Sequence, residues 1–291
     1  AMAGDAAYFP SLNDPRLRDF MRGGAMTEAG VTISPAVAMR NTTVFRCVSL
    51  ISFAIGMLPL HLQYQEGKRK ATDHPLYRVL HRKPNVWQTS FEFRSLMQQR
   101  ALVHGSAYAL IVRSGSRVTQ LVPLDPERVT PEQRDDWSLQ YRLERPNRGT
   151  IVLSQGEVFH LRFGLSEDGI TGLSLVKQAA EAIALAIQTD KAAARLFKQG
   201  MLVGGALTHP NKLSPEAYER LKASMAERES AENAHKWLIT EEGMEAKPFS
   251  QTGRDNQHLE TRRHQIEEIA RPFGVPRPLL GLDEKIGRAH V

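Results

Sequence analysis

SAYALIVRSGSRVTQLVPL, residues 106–124, is where the chain changes its period. Just upstream, Phe93, Leu96, Met97, Arg100 and Ala101 recur at helical steps, predicting a helix from Ser90, as N-cap, to about Val103. From Ser106 two runs of strand-forming residues flank Gly115–Ser116, which reads as a β-hairpin. SLQYRLE (138–144), GTIVLS (149–154) and EVFHLRF (157–163) continue the strands, with Asn147–Arg148–Gly149 as a turn. Antiparallel strands with flanking helices make the expected class α+β, not an alternating βαβ fold.

Working upstream, CVSLISFAIGMLPL (47–60) is the most apolar run. Fourteen residues are too few for a bilayer, which takes roughly 20. The run reads as a buried core helix from Thr42 to about Met57, turning at Leu58–Pro59–Leu60 into a strand LHLQY (60–64). A turn at Glu66–Gly67 and a short helix HPLYRVLH (74–81) follow. Residues 1–34 read as an arm with few apolar anchors.

Downstream, Gly169 and Gly172 mark a boundary. A single long helix is expected from Leu173 to Gly200, with Val176, Ala180, Ile183 and Ile187 on one face. Residues 201–252 read as a small α/β unit: strand VGGALTH, helix SPEAYERLKASMAER with Pro215 at its first position, then strands HKWLIT and MEAKPFS. A charged helix follows at 255–271, so the small unit is an insertion between two helices.

The 291 residues are 41% hydrophobic and 24% charged, as expected of a folded protein. Net charge is +6. Residues 61–100 hold eight Lys/Arg against three Asp/Glu, whereas 214–247 hold eight acids against five bases. Such separation fits different partners at two places, or two solvated surfaces. Cys47 is the single cysteine, which excludes an internal disulfide framework and fits a reducing cytoplasm. The first twenty residues lack the pattern of a signal peptide.

No catalytic constellation emerges. Lys68 has no phosphate-cradling glycine loop before it, no serine lies in a Gly-x-Ser-x-Gly elbow, and no HExxH occurs. His258 and His264, six apart, fall on different sides of a helix and make poor metal ligands. Cys47, within an apolar run, reads as an inert thiol. Lys68, Arg69, Lys70, Arg78, Arg82 and Lys83 could meet phosphate or form a solvated loop. No cofactor or metal is expected.

Taken in order, VFRCVSLISFAIGMLPLHL (44–62), HPLYRVLHRKPN (74–85), GSAYALIVR (105–113) with LVPLDPERV (121–129), EVFHLRFGLSEDGITGLSLVKQA (157–179), RLFKQG (195–200) and DNQHLETRRHQIEEIARPFGVPRPLLG (255–281) resemble the HK97-like portal proteins of tailed bacteriophages. The resemblance implies a non-enzymatic subunit of a ring of about twelve copies at one capsid vertex. Double-stranded DNA passes through the ring's channel. The large terminase, head–tail adaptor proteins, and the major capsid and scaffold proteins are its partners, with no membrane. A phage, a prophage or a gene-transfer particle would use the same protein, placed in the virion and, during assembly, in the host cytoplasm. Mapped here, 35–170 would be the wing, 171–200 and 253–272 the stem helices, 201–252 the clip and 273–285 the start of a post-stem region. Arg254, Arg262 and Arg263 become channel or stem candidates, and Glu216, Glu219 and Glu227 candidates for docking terminase or adaptor.

The chain departs from the family at its end. Pro272, Pro276 and Pro278 form a junction followed by little sequence, so a C-terminal truncation is expected. IGRAHV, 286–291, is what ATCGGAAGAGCACACGTC encodes, a string that resembles a sequencing-library adapter, so these six residues are expected to be an artefact. The rival reading is a nucleic-acid-binding or processing protein that uses the basic 61–100 segment.

Overall fold

The computed structural model describes residues 24–65, 67–198, 205–208, 219–220, 245–248 and 252–282. In chain order the elements are α1 (Pro35–Ala38), α2 (Thr42–Met57), α3 (Pro75–Tyr77, running into a π-turn Arg78–Arg82), α4 (Ser90–His104), β1 (Ser106–Ser114), β2 (Arg117–Leu124), β3 (Val129–Gln133), β4 (Leu139–Arg145), β5 (Gly149–Ser154), β6 (Val158–Arg162), α5 (Leu175–Gln178), α6 (Ala180–Lys198), β7 (Gly205–Thr208), β8 (Glu245–Pro248) and α7 (Thr252–Ala270). The mixture is α+β with antiparallel sheets, in order β2-β1-β6, β3-β4-β5 and β7-β8.

β1 is the centre of the larger unit, and its alternation explains why. Ala107 and Ala109 face a core with Phe93, Met97 and Ala101 of α4, where small side chains let the helix approach. Tyr108 points the other way, into a core with Val129, Tyr141, Leu143 and Leu153 of the second sheet and Val158 of the neighbouring strand β6. One strand thus cements a helix on one face and a sheet on the other, burying apolar surface on both.

Local chemistry sets the element ends. Asn41 caps α2 by accepting from Thr43 N and Val44 N. α4 is capped by Thr89 rather than by Ser90: Thr89 Oγ1 accepts from Glu92 N while Glu92 accepts from Thr89 N, a reciprocal pair. At its other end Gly105 takes φ +86, which a left-handed cap requires.

Several expectations need correction. β3 was not foreseen, because Pro131 lies in its middle. β3 is an edge strand, where a missing N–H is tolerated. LHLQY is not a strand. Only Gln63 and Lys70 form a bridge, across the tight turn that holds Gly67 and Lys68 at positive φ. The helix expected at 173–200 is two, α5 and α6, with Ala179 at φ −90, ψ 4 between them. Strand HKWLIT and nearly all of helix 214–228 lie outside the described residues.

α2 is not buried all round either. Val44, Cys47, Val48, Ser52 and Gly56 form its inner face. Gly56 crosses so close to α4 that a Cβ there would lie 2.0 Å from Ser95 Oγ. The Cys47 thiol is fully buried, and burial pushes its pKa up to about 11.

The chain divides into two units, Ala1–Ala184 with Ile266–Val291, and Leu185–Gln265. The expected insertion 201–252 lies within the second. There Thr189 and Asp190 of α6 meet Gln265 and Arg262 of α7, at 3.0 and 3.4 Å, so the helices run antiparallel. β7 and β8 pair in register Gly205–Pro248 to Thr208–Glu245, bringing the described ends of the insertion side by side.

Candidate subunit-contact surface and charged helices

The outer face of α2 is apolar and open. Phe45, Phe53 and Met57 recur at multiples of four, and Leu58 and Leu60 extend the stripe past the helix. Phe53 is 52% exposed, Met57 70% and Leu58 60%. Phe91 of α4 joins the patch, its ring 5.9 Å from that of Phe53. Contiguous exposed apolar surface of this kind marks a protein–protein contact. The patch is held rigidly. Arg94 donates to Gly56 O at 2.7 Å, fixing the end of α2. Arg46 Nε donates to Leu279 O at 3.3 Å, tying the short 3₁₀ turn Arg277–Leu280 to the same helix. The triple-proline junction therefore folds back on α2, with Phe273 buried and Arg277 bonded to Glu267 at 2.5 Å.

The charged candidates fare differently. Arg262 pairs with Asp190, both side chains more than half exposed, a contact that contributes little to stability. Arg263 is exposed. Arg254 lies in α7, its side chain outside the described residues. Glu219 is exposed in a helical turn, and Glu216 and Glu227 lie outside the described residues. Among the described residues, Arg262, Arg263 and Glu219 form no hydrogen bond or ion pair with one another. The α2 patch escaped the sequence reading, though its signal was present: a helix apolar on every side needs cover on every side.

A buried polar cluster lies between the two sheets of the larger unit. His160 Nδ1 is 3.2 Å from Tyr141 Oη, the Tyr108 ring packs against it in a tilted arrangement with centroids 4.6 Å apart, and His160 Nε2 is buried without a hydrogen-bond partner. Burial, helped by Arg162, pushes the His160 pKa down to about 4, while Asp168 opposes the shift. The unfolded chain takes up this proton near pH 6.5, and the folded chain refuses it until about pH 4. Stability therefore falls as pH drops through that window. His160→Asn, which cannot titrate, is expected to flatten the pH profile between 6.5 and 4 in urea-unfolding midpoints; a profile as steep as the parent's would refute this assignment.

Among the described residues no cluster of His, Cys, Asp and Glu could hold a metal ion, and no helix is long and apolar enough to cross a membrane.

Residues 42–287 match the family model described as phage portal protein. The portal protein of Enterobacteria phage HK97 is 31% identical over 253 residues, which are 85% of this chain and 59% of that protein. The probable portal protein of Streptomyces phage phiC31 is 26% identical over 270 residues, 88% of this chain and 58% of that one. The chain thus spans less than two thirds of the length of these relatives. A chain in the neck of an empty GTA particle, computed with C6 symmetry, superposes with a TM-score of 0.67 and 26% identity, over 88% of this chain and 73% of that one. A match this long, on an α+β fold of this order, places the chain in the phage portal protein family, with the HK97-like portals.

Proposed function

We propose that this chain is a portal subunit that assembles into a ring of about twelve copies at one capsid vertex of a tailed phage, prophage or gene-transfer particle. Double-stranded DNA is packaged and ejected through the ring, and terminase and head-completion proteins dock on it. The ring works by shape and contact, with no catalysis of its own. The observation that carries this reading is the family match over residues 42–287. The open apolar face of α2 supports it, because a subunit that ends in an assembly needs such a face. The neck of a related particle, solved with sixfold symmetry, supports a second copy of the chain as what covers that face.

In this reading 35–170 is the wing, 171–200 and 253–272 are the stem, and 201–252 is the clip. The antiparallel pairing of α6 with α7, and of β7 with β8, supports a clip carried between stem helices. Arg254, Arg262 and Arg263 are the proposed stem charges, and Glu216, Glu219 and Glu227 the proposed docking face.

Negative-stain electron microscopy of the purified protein is expected to show rings with a central channel and six- or twelvefold symmetry. Only monomers at high micromolar concentration would overturn the ring for this chain.

A further inference from the structure

The sequence leaves six basic residues of the 61–100 segment without a role, and the fold sorts them. Arg78 opens the π-turn, and the N–H of Lys83 closes that turn on Arg78 O at 2.9 Å. The next residues are nailed to β2: Pro84 O accepts from Leu121 N at 2.8 Å, and the buried Asn85 donates to Leu121 O at 3.0 Å. Asn85 Oδ1 also accepts from Gln88 N at 2.8 Å, which completes a tight turn. This brings Lys83 and Arg78 to the turn end of the β1–β2 hairpin, where Arg117 starts β2 opposite Ser114. Arg78, Lys83 and Arg117 line one cavity of about 380 Å³, with Asn85, Ser114, Thr119 and Gln120 as further polar groups. No carboxylate lines it, and among the described residues none is ion-paired with these three cations.

Three like charges held together without a counter-charge repel one another unless an anion is bound. All three are exposed, so the cavity lacks the enclosed donors of a small-anion pocket. It suits a polyanion that runs across the surface. The excess of eight basic residues over three acidic ones in 61–100 extends the attraction beyond the cavity itself. Arginine forks at Arg78 and Arg117 match phosphate oxygens in pairs, and Lys83 adds a point charge.

We propose that the Arg78–Lys83–Arg117 cavity is a contact site for the phosphate backbone of double-stranded DNA. The contact is carried by the three cations, which meet phosphate oxygens and carry no sequence information, while the Asn85 amide is occupied by Leu121 O and Gln88 N. It also stands apart from ring formation, since it lies within one copy of the chain.

The test is fluorescence anisotropy with a labelled 30-base-pair duplex from 50 to 200 mM salt. The parent chain is compared with the triple variant Arg78→Gln, Lys83→Gln, Arg117→Gln. These side chains are exposed, and a thermal melt confirms that the variant folds. The variant is expected to bind at least about tenfold more weakly at low salt, with a log–log salt slope shallower by roughly 3. Equal affinity and slope in both proteins would overturn the site. So would a parent that ignores the duplex yet gains thermal stability from inorganic phosphate, which would make the cavity a small-anion site. A chain that forms no rings but shows the expected difference refutes the portal ring and keeps this contact.

Discussion

Gly105→Ala is expected to remove about 3 to 5 kcal/mol of stability from the larger unit, a large part of what a domain has. Gly105 ends α4 at φ +86, a conformation that alone costs an alanine roughly 1 kcal/mol. The greater cost is collision. A Cβ at Gly105 would lie 2.0 Å from Gly172 O, and one at Gly172 would lie 2.2 Å from Gly105 O and 2.7 Å from Phe163 O. These obstacles are backbone, so no rotamer change relieves them. The same crossing carries the hydrogen bonds Phe163 N to Gly105 O at 3.0 Å and Gly172 N to Ser106 Oγ at 3.1 Å. Opening a gap for one methyl group would therefore strain α4, β1 and the approach to α5 together. Gly115→Ala is the control, with φ +61 and nothing within 4 Å of its Cβ. Urea unfolding followed by circular dichroism separates them. Equal losses in the two variants would show that dihedral strain, and not the crossing, dominates.

Phe53→Glu with Met57→Glu is expected to abolish assembly and leave the fold intact. Both side chains point away from the core, so the monomer loses little beyond the Phe53–Phe91 ring contact. In an interface the two carboxylates would be stripped of water without a partner. That costs about 2 kcal/mol or more each, roughly a thirtyfold loss of affinity per substitution. A ring repeats the loss at every contact, so sedimentation velocity should show monomers alone. Rings of normal abundance would mean that the α2 face is covered by something other than a second copy.

The sequence carried what depends on local period and turn chemistry. The hairpin at 106–124 was legible because two strand runs flank Gly115–Ser116, and β1 and β2 fall where these runs do. α2 was legible as a helix from Thr42 to about Met57, since Leu58–Pro59 ends the apolar run; its Asn41 cap is visible only in the structure. Its surroundings were not legible. An apolar helix reads as interior whether its own chain or another molecule covers it. Pro131 hid β3, because a proline excludes a central strand but not an edge, and edge or centre is a property of the sheet. Thr89 and Ser90 compete as caps, and only the reciprocal Glu92 decides for Thr89, a clue that was present three residues on. Arg117 joins Arg78 and Lys83 only through the docking of Asn85 on β2, which no spacing announces.

The burial of Cys47 has a practical consequence. Its thiol is buried under the inner face of α2, and burial raises its pKa to about 11, so it is expected to react slowly with maleimide or iodoacetamide at neutral pH. The chain is thus ready for single-site labelling without removal of its own cysteine. A fluorophore or spin label placed at one chosen surface position would report, from a uniform population, the spacing of copies in the proposed ring.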